Sequence, residues 1–486
     1  MNFVRSAHLK LLVLTILSLI VPAAAQHEHS VESSVKPVDE SLGEIHFPNS
    51  GPANAQKHFI RGVLLLHSFE YARARAAFAE ASRTAPGFAM SYWGEAMTHN
   101  HPIWGEQDRD AAIAVLNRFA PTAAERADKV PTPREKLYFG AVEKLYGDGD
   151  KSQRDAAYST AMAELSARFP DDIEARAFYS LSLLGLTGTD RNTENYMKAA
   201  GVAEELFVLN RNHPGTLHYL IHAYDDPVHA PLGLRAAKLY GTVAKGASHA
   251  QHMPSHIFFA LGMWDEANSA NIASMKTARD SGQSGYHPLH WLEHGYLQLG
   301  KEDEAAKLVA IVEADLKTKQ TQSARKNLAM CRATWLVETN GKELEGMLDP
   351  IEGAKYAGFE MARGLEYVRR NDLPRAREAL DKLKSAGGGP VMERMLESAI
   401  EFASGSKDAA IRKAVEAAEA EDKMIFEYGP PPMVKPAWEH AGELCLKTGR
   451  SKEALDAFNR VLKVYPNRRL ANQGVQAAKV LTARAN

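Results

Sequence analysis

Cysteine is almost missing from this chain: Cys331 and Cys445 are its only two in 486 residues. Two thiols make no disulfide framework, and both lie in apolar helical stretches where they read as buried side chains. Strand-like alternation is equally scarce. Ala, Leu, Glu and Lys are abundant instead, and apolar residues recur at helical spacing almost throughout, which predicts an all-α fold. There is no basic run, and the formal charge is only −2, which argues against a nucleic-acid partner. Beyond residue 25 no apolar stretch is long enough to span a bilayer. A glycine-rich phosphate loop, a serine-nucleophile elbow, His-Glu-x-x-His and Cys-x-x-Cys-His are all absent, so those common routes to a reaction or a covalent haem have no support.

The first 25 residues stand apart. Arg5 and Lys10 precede an apolar run from Leu11 to Val21, and Ala23-Ala24-Ala25 offers a small-residue cleavage pattern. This reads as a secretory signal peptide, with a periplasmic or extracellular destination. Its removal takes two positive charges and brings the formal charge to −4. A polar segment follows over 26–52, opening with Gln-His-Glu-His-Ser at 26–30. A histidine near a free amino terminus can bind copper, but a plain polar tail is the favoured reading.

From residue 53 to 486 helix pairs are expected. Gly62, Ala74, Phe78 and Pro86 recur at the same offsets as Gly442, Ala454, Phe458 and Pro466. Small residues let two antiparallel helices approach, the aromatic ring fills the gap to the next pair, and the proline follows the second helix. Gly262 to Ala267, Gly300 to Ala305 and Asn371 to Ala376 repeat the turn. This spacing resembles the tetratricopeptide repeat, whose period is about 34 residues. It is clearest over 55–88, 248–310 and 357–468, and implies an α-solenoid of seven to nine pairs, a superhelix with a concave groove. The stretches "HFPNSG" at 46–51, "YWGEAM" at 92–97, "HMPSHIF" at 252–258 and "EYGPPP" at 427–432 resemble a group of exported bacterial tetratricopeptide proteins, with no established activity to carry over.

Histidine is what the chain has in excess, and much of it falls between 213 and 294. His218 and His222, His252 and His256, and His290 and His294 are each four apart, which puts each pair on one helix face. His218 and His252 are 34 residues apart, and the last two pairs hold the same positions before Gly262 and Gly300. The resemblance places these positions on the first helix of each repeat, facing the concave side, with His287 one turn before His290. His249 and His229 sit alongside, and His67 and His101, also one period apart, could face the groove from earlier repeats.

Helical His-x-x-x-His lets two imidazoles share one metal ion, and neutral imidazole suits zinc and copper first, with iron and nickel also open. Asp225, Asp226 and Glu293 are nearby carboxylates. The alternative is packing against Tyr219, Tyr224, Tyr240, Tyr286 or Tyr296. The favoured function is thus an exported binding protein with a transition metal or a metal-bearing ligand in its groove. A metal-dependent enzyme on the same wall, with His287, Asp225 or Glu293 as base, is the first alternative. A metal-free groove for a protein or peptide partner is the second.

Overall fold

The computed structural model describes residues 41–187 and 191–485. The expected signal peptide, the Gln-His-Glu-His-Ser stretch and most of the expected polar segment lie outside the described residues. The fold is an all-α solenoid. Ala53–His67 packs on Tyr71–Thr84, Ala89–Met97 on Arg109–Phe119, Pro133–Leu145 on Lys151–Arg168, and Ile173–Leu184 on Thr193–Leu209. Then come Pro214–Tyr224 with Ala230–Val243, Ser248–His252 and Pro254–Ala260 with Trp264–Asp280, and Tyr286–Gln298 with Glu302–Lys319. Gln322–Glu338 stands single. Three further pairs follow, Ala357–Arg369 with Leu373–Ser385, Gly389–Ala403 with Lys407–Glu421, and Ala437–Lys447 with Ser451–Val464, before the last helix Arg469–Ala485. These ten pairs exceed the seven to nine expected. Between 89 and 209 the pairs are joined by turns, such as residues 147–150, that lack the Gly-to-Ala spacing. Among the described residues the only strands are the two-residue partners Asn100–His101 and Glu106–Gln107.

The repeat works as its spacing implies. A Cβ added at Gly62 would lie 2.7–2.9 Å from the Phe78 ring, and one at Gly442 2.9–3.1 Å from Phe458. Both rings are buried. Gly62→Ala should therefore overpack the first pair and cost about 1–3 kcal/mol, read as a lower urea midpoint at unchanged slope. Local signals set helix starts: Thr122 with Glu125 and Asp150 with Gln153 form capping boxes, and His213 caps Pro214–Tyr224 by accepting the Thr216 amide at 3.1 Å. Pro254 opens its helix at the first turn, so the sixth repeat's first helix is split at Met253.

The superhelix also touches itself across distant repeats. Tyr240 donates to the Ser68 hydroxyl at 3.3 Å, and Arg73 donates to the Gly246 carbonyl at 2.8 Å. Near the other end Trp264 donates to the Asn467 carbonyl at 3.2 Å, and the Arg469 amide to Gln298 at 2.9 Å. Within the described part of the expected polar segment, Leu42 and Phe47 are buried, and Phe47 packs on Phe59, Trp93 and Tyr138. The Tyr240 and Arg73 bonds hold repeats one and five together. No helix among the described residues is long and apolar enough to cross a membrane.

Candidate metal centre

Two trihistidine groups form where the first helices of the fifth, sixth and seventh repeats meet. His218, His222 and His249 each offer a ring nitrogen, and these three nitrogens lie within 4.8 Å of one another. His252, His256 and His287 do the same one repeat later. Pro214–Tyr224 supplies His218 and His222, the two short helices split at Met253 supply His252 and His256, and the next repeat supplies the third ring: His249 comes from Ser248–His252, and His287 from Tyr286–Gln298. Four of the six, His218, His222, His252 and His256, are buried.

Hydrogen bonds on one side of each ring fix what the other side presents. His218 donates from Nδ1 to the His67 carbonyl at 2.7 Å, so its Nε2 carries a lone pair. The His249 Nε2 is 3.2 Å from it. His222 Nε2 is buried and has no hydrogen-bond partner. In the second group, Asn271 donates its amide to the Ala267 carbonyl, which turns its oxygen to His252 Nδ1 at 2.7 Å. His256 Nδ1 meets the buried Asp225 carboxylate at 2.5 Å. Both remaining Nε2 atoms then carry lone pairs, yet they stand 3.1 Å apart, with His287 Nε2 2.9 Å from His252. Two lone pairs at that distance repel unless a cation sits between them, either a proton or a metal ion. Metal-bound imidazole is oriented in this same way, by a carbonyl or carboxylate on its second nitrogen.

Burial weakens the proton alternative in the first group. It pushes the His218 imidazolium down to about 3, against the bond to the His67 carbonyl. Burial, then His218 and His256, lower His222 well below its ordinary value. Aromatic rings enclose both groups. Phe69 lies 4.2 Å from His218 and 5.6 Å from His249 between ring centres, with Trp104 6.0 Å from His249. Trp291 stacks on His256 at 4.6 Å, and Tyr428, from the Glu-Tyr-Gly-Pro stretch, lies at the same distance.

A third cluster, His67, Glu174 and His213, has the composition of a metal site but a closed hydrogen-bond network. His213 accepts the Thr216 amide on Nδ1 and so donates from Nε2 to Glu174 at 3.1 Å. His67 meets Tyr219 at 2.7 Å on Nδ1 and Glu174 at 2.8 Å on Nε2. Every ring nitrogen has a protein partner. Burial raises the Glu174 carboxyl, but the two histidines, led by His213, outweigh it and bring it down to about 2. His67 is thus part of a buried polar network, as its full burial also indicates.

The structure brings together His218, His222, His252, His256 and His287 of the residues singled out in sequence, and adds His249. It does not bring His290 and His294 into either group. His290 bonds to the Thr334 hydroxyl at 2.9 Å, and His294 packs beside Phe259 and Trp264. His229 pairs with Asp226 at 2.8 Å, and His101 stacks on Tyr71 at 4.0 Å. Among the carboxylates considered as bases, Asp225 orients His256, while burial pushes the Glu293 carboxyl well above the carboxylate range. Cys331 and Cys445 are buried free thiols.

Neutral buried histidines make the fold acid-sensitive. Burial holds His290 down to about 4 and, with Lys435 adding to it, His440 to about 3. Both must take up a proton on unfolding at acid pH, because their unfolded value is about 6.5. Their contribution is full above pH 6.5 and falls by about 1.4 kcal/mol per histidine for each pH unit down to those values. Stability measured by urea unfolding should drop steeply between pH 6.5 and 4.

Phe69 went unremarked in the sequence, though a signal was there. It occupies the turn position five residues before the repeat alanine, where other repeats have Gly262, Gly300, Asn371, Gly405 and Gly449. All of these have positive φ, and Phe69 shares it at 55°. A bulky side chain is strained there by about 1–3 kcal/mol. Its ring covers His218 and His249, and this packing keeps the residue in its strained conformation. Phe69→Gly should then unfold at higher temperature than Phe69→Ala, reversing the usual order by about 1 kcal/mol.

No family model and no curated protein matches the sequence. Solved structures align with it only loosely. The TPR domain of P58(IPK) is 14% identical over 89% of this chain and 99% of that chain, with a TM-score of 0.23. Yeast Tom70 is 9% identical over 89% of each, with a TM-score of 0.33. A human IFIT1 dimer with m7Gppp-AAAA is 14% identical over 89% of this chain and 90% of that one, with a TM-score of 0.38. At these values their ligands and partners have no bearing on this chain, and the helical solenoid stands on its own repeats.

Proposed function

We propose that this protein is an exported solenoid that binds two transition-metal ions, one in each trihistidine group, with zinc or copper favoured. The observation that carries this reading is the facing pair of lone pairs on His252 and His256, each fixed by a partner on the opposite nitrogen. Imidazole donors at tetrahedral zinc lie about 2.0–2.1 Å from the ion, so small ring rotations suffice to bring donors within 4.8 Å onto one centre. Export is supported by the Arg5/Lys10, apolar-run and Ala-Ala-Ala pattern at the amino terminus. Equilibrium dialysis of the untagged protein against zinc or copper should give two ions per chain. A double variant, His222→Ala with His256→Ala, should retain neither tightly. Undiminished uptake by that variant would place the metal elsewhere.

A metal-dependent enzyme is the second reading. It is favoured by the three-donor make-up of each group, since three protein ligands leave a position for substrate whereas structural sites are closed by four. Protein or peptide partners on the remaining concave surface are compatible with either reading.

A further inference from the structure

Repeats nine and ten are joined by a long connection. Fifteen residues, 422–436, lie between Lys407–Glu421 and Ala437–Lys447 with no helix or strand, whereas the next turn, before Ser451–Val464, takes three. Helix-free connections of this length are uncommon in compact folds, and many of them are binding loops or lids. The two ends of this one are tied together. Glu421 accepts the Ala437 amide at 2.7 Å, and Asp422 accepts from the Trp438 indole at 3.0 Å. On the return limb Met433 and Val434 are buried, Val434 holds a positive φ of 61°, and Lys435 pairs with Glu443 at 2.5 Å. A loop whose ends meet over a packed base has the form of an Ω-loop, and its tip is the part that can move.

The tip reaches the second trihistidine group. Tyr428 lies 4.6 Å from His256 and 6.5 Å from His222 between ring centres. Gly429 seats it there: its φ is 96°, and a Cβ added to it would stand 2.3 Å from the Trp291 ring. Trp291 in turn lies 4.6 Å from His256 and 4.7 Å from His252. Pro430, Pro431 and Pro432 stiffen the limb behind the tip. Ring packing is what holds the tip down. Among the described residues no hydrogen bond joins 425–430 to the rest of the protein. Met424 and Ile425, on the approach, are exposed. A segment held by so few contacts opens locally at low cost, while its tied ends keep their places.

We propose that residues 422–436 form a flap whose tip, Tyr428 and Gly429, closes over the second trihistidine group and sets the rate at which metal enters and leaves it. This rests on the metal-binding reading above and goes beyond it, since a site of the same affinity could exchange its ion with no moving part. A gate changes uptake and release together and leaves affinity alone. That separates it from a contact that merely stabilises the bound state, which acts on release.

Stopped-flow exchange of zinc tests this in a His222→Ala background, where the second group alone is loaded. Release is followed by mixing the loaded protein with an excess of a chromogenic zinc chelator. Uptake is followed by mixing the metal-free protein with zinc held on a weak indicator. Gly429→Ala lifts the tip from Trp291, and Tyr428→Ala removes its ring. Each should speed both release and uptake about tenfold, with zinc affinity within about threefold of the parent. Urea unfolding of both variants checks the fold, and Tyr428→Ala carries the test if Gly429→Ala weakens it. Unchanged rates would overturn the flap. So would faster release with unaltered uptake and a matching loss of affinity. A folded parent that holds no zinc would overturn the metal-binding reading itself, and the flap with it.

Discussion

His252→Ala should abolish metal binding in the second group and leave the first occupied. His252 Nε2 is the vertex of its triad, 3.1 Å from the Nε2 of His256 and 2.9 Å from that of His287. Loss of an outer partner of a metal ligand typically costs about 10–100-fold in affinity, and loss of a ligand costs more. Calorimetric titration of the variant should show one ion per chain where the wild type shows two. The same variant removes the repulsion between the His252 and His256 lone pairs, so in the absence of metal it should lose less stability than a buried side chain of that size usually does. A variant that still takes up two ions would mean that His252 is only a packing residue.

Glu174→Gln carries the second large effect, and it acts on stability rather than on metal. The carboxylate is fully buried and accepts from both His67 and His213. An amide in its place offers one oxygen to two N–H groups and sets its own NH2 against the other. Breaking one partner of such a buried pair costs about 3–5 kcal/mol. His67 also presents the carbonyl that fixes His218, so the damage should reach the first metal group as a weaker first binding step. Urea unfolding and metal titration of one preparation read both. Stability within about 0.5 kcal/mol of wild type would show that this network holds nothing together.

Much of the solenoid was legible because its determinants are local. Gly62 and Phe78, like Gly442 and Phe458, meet within one helix pair, so their 16-residue spacing reports a real contact. The His-x-x-x-His pairs were legible for the same reason. The third member of each triad was harder. His287 lies one turn from the pair it was grouped with and yet joins the preceding repeat, and His249 reads as a loop residue although it completes the first group. The third pair looked equivalent to the others by spacing. His290 is instead drawn to Thr334, on a helix that no spacing rule connects to it. The bond from His218 to the His67 carbonyl spans 151 residues and depends on the superhelix closing on itself, which repeat periodicity does not encode.

The most direct test is a crystal of the untagged protein, soaked in zinc and measured at the zinc absorption edge. Two anomalous peaks are expected, one within bonding distance of His218, His222 and His249, the other of His252, His256 and His287. Peaks only at other places, such as His67 with Glu174 and His213, or no peak at either group at saturating zinc, would contradict the central claim and return these histidines to packing.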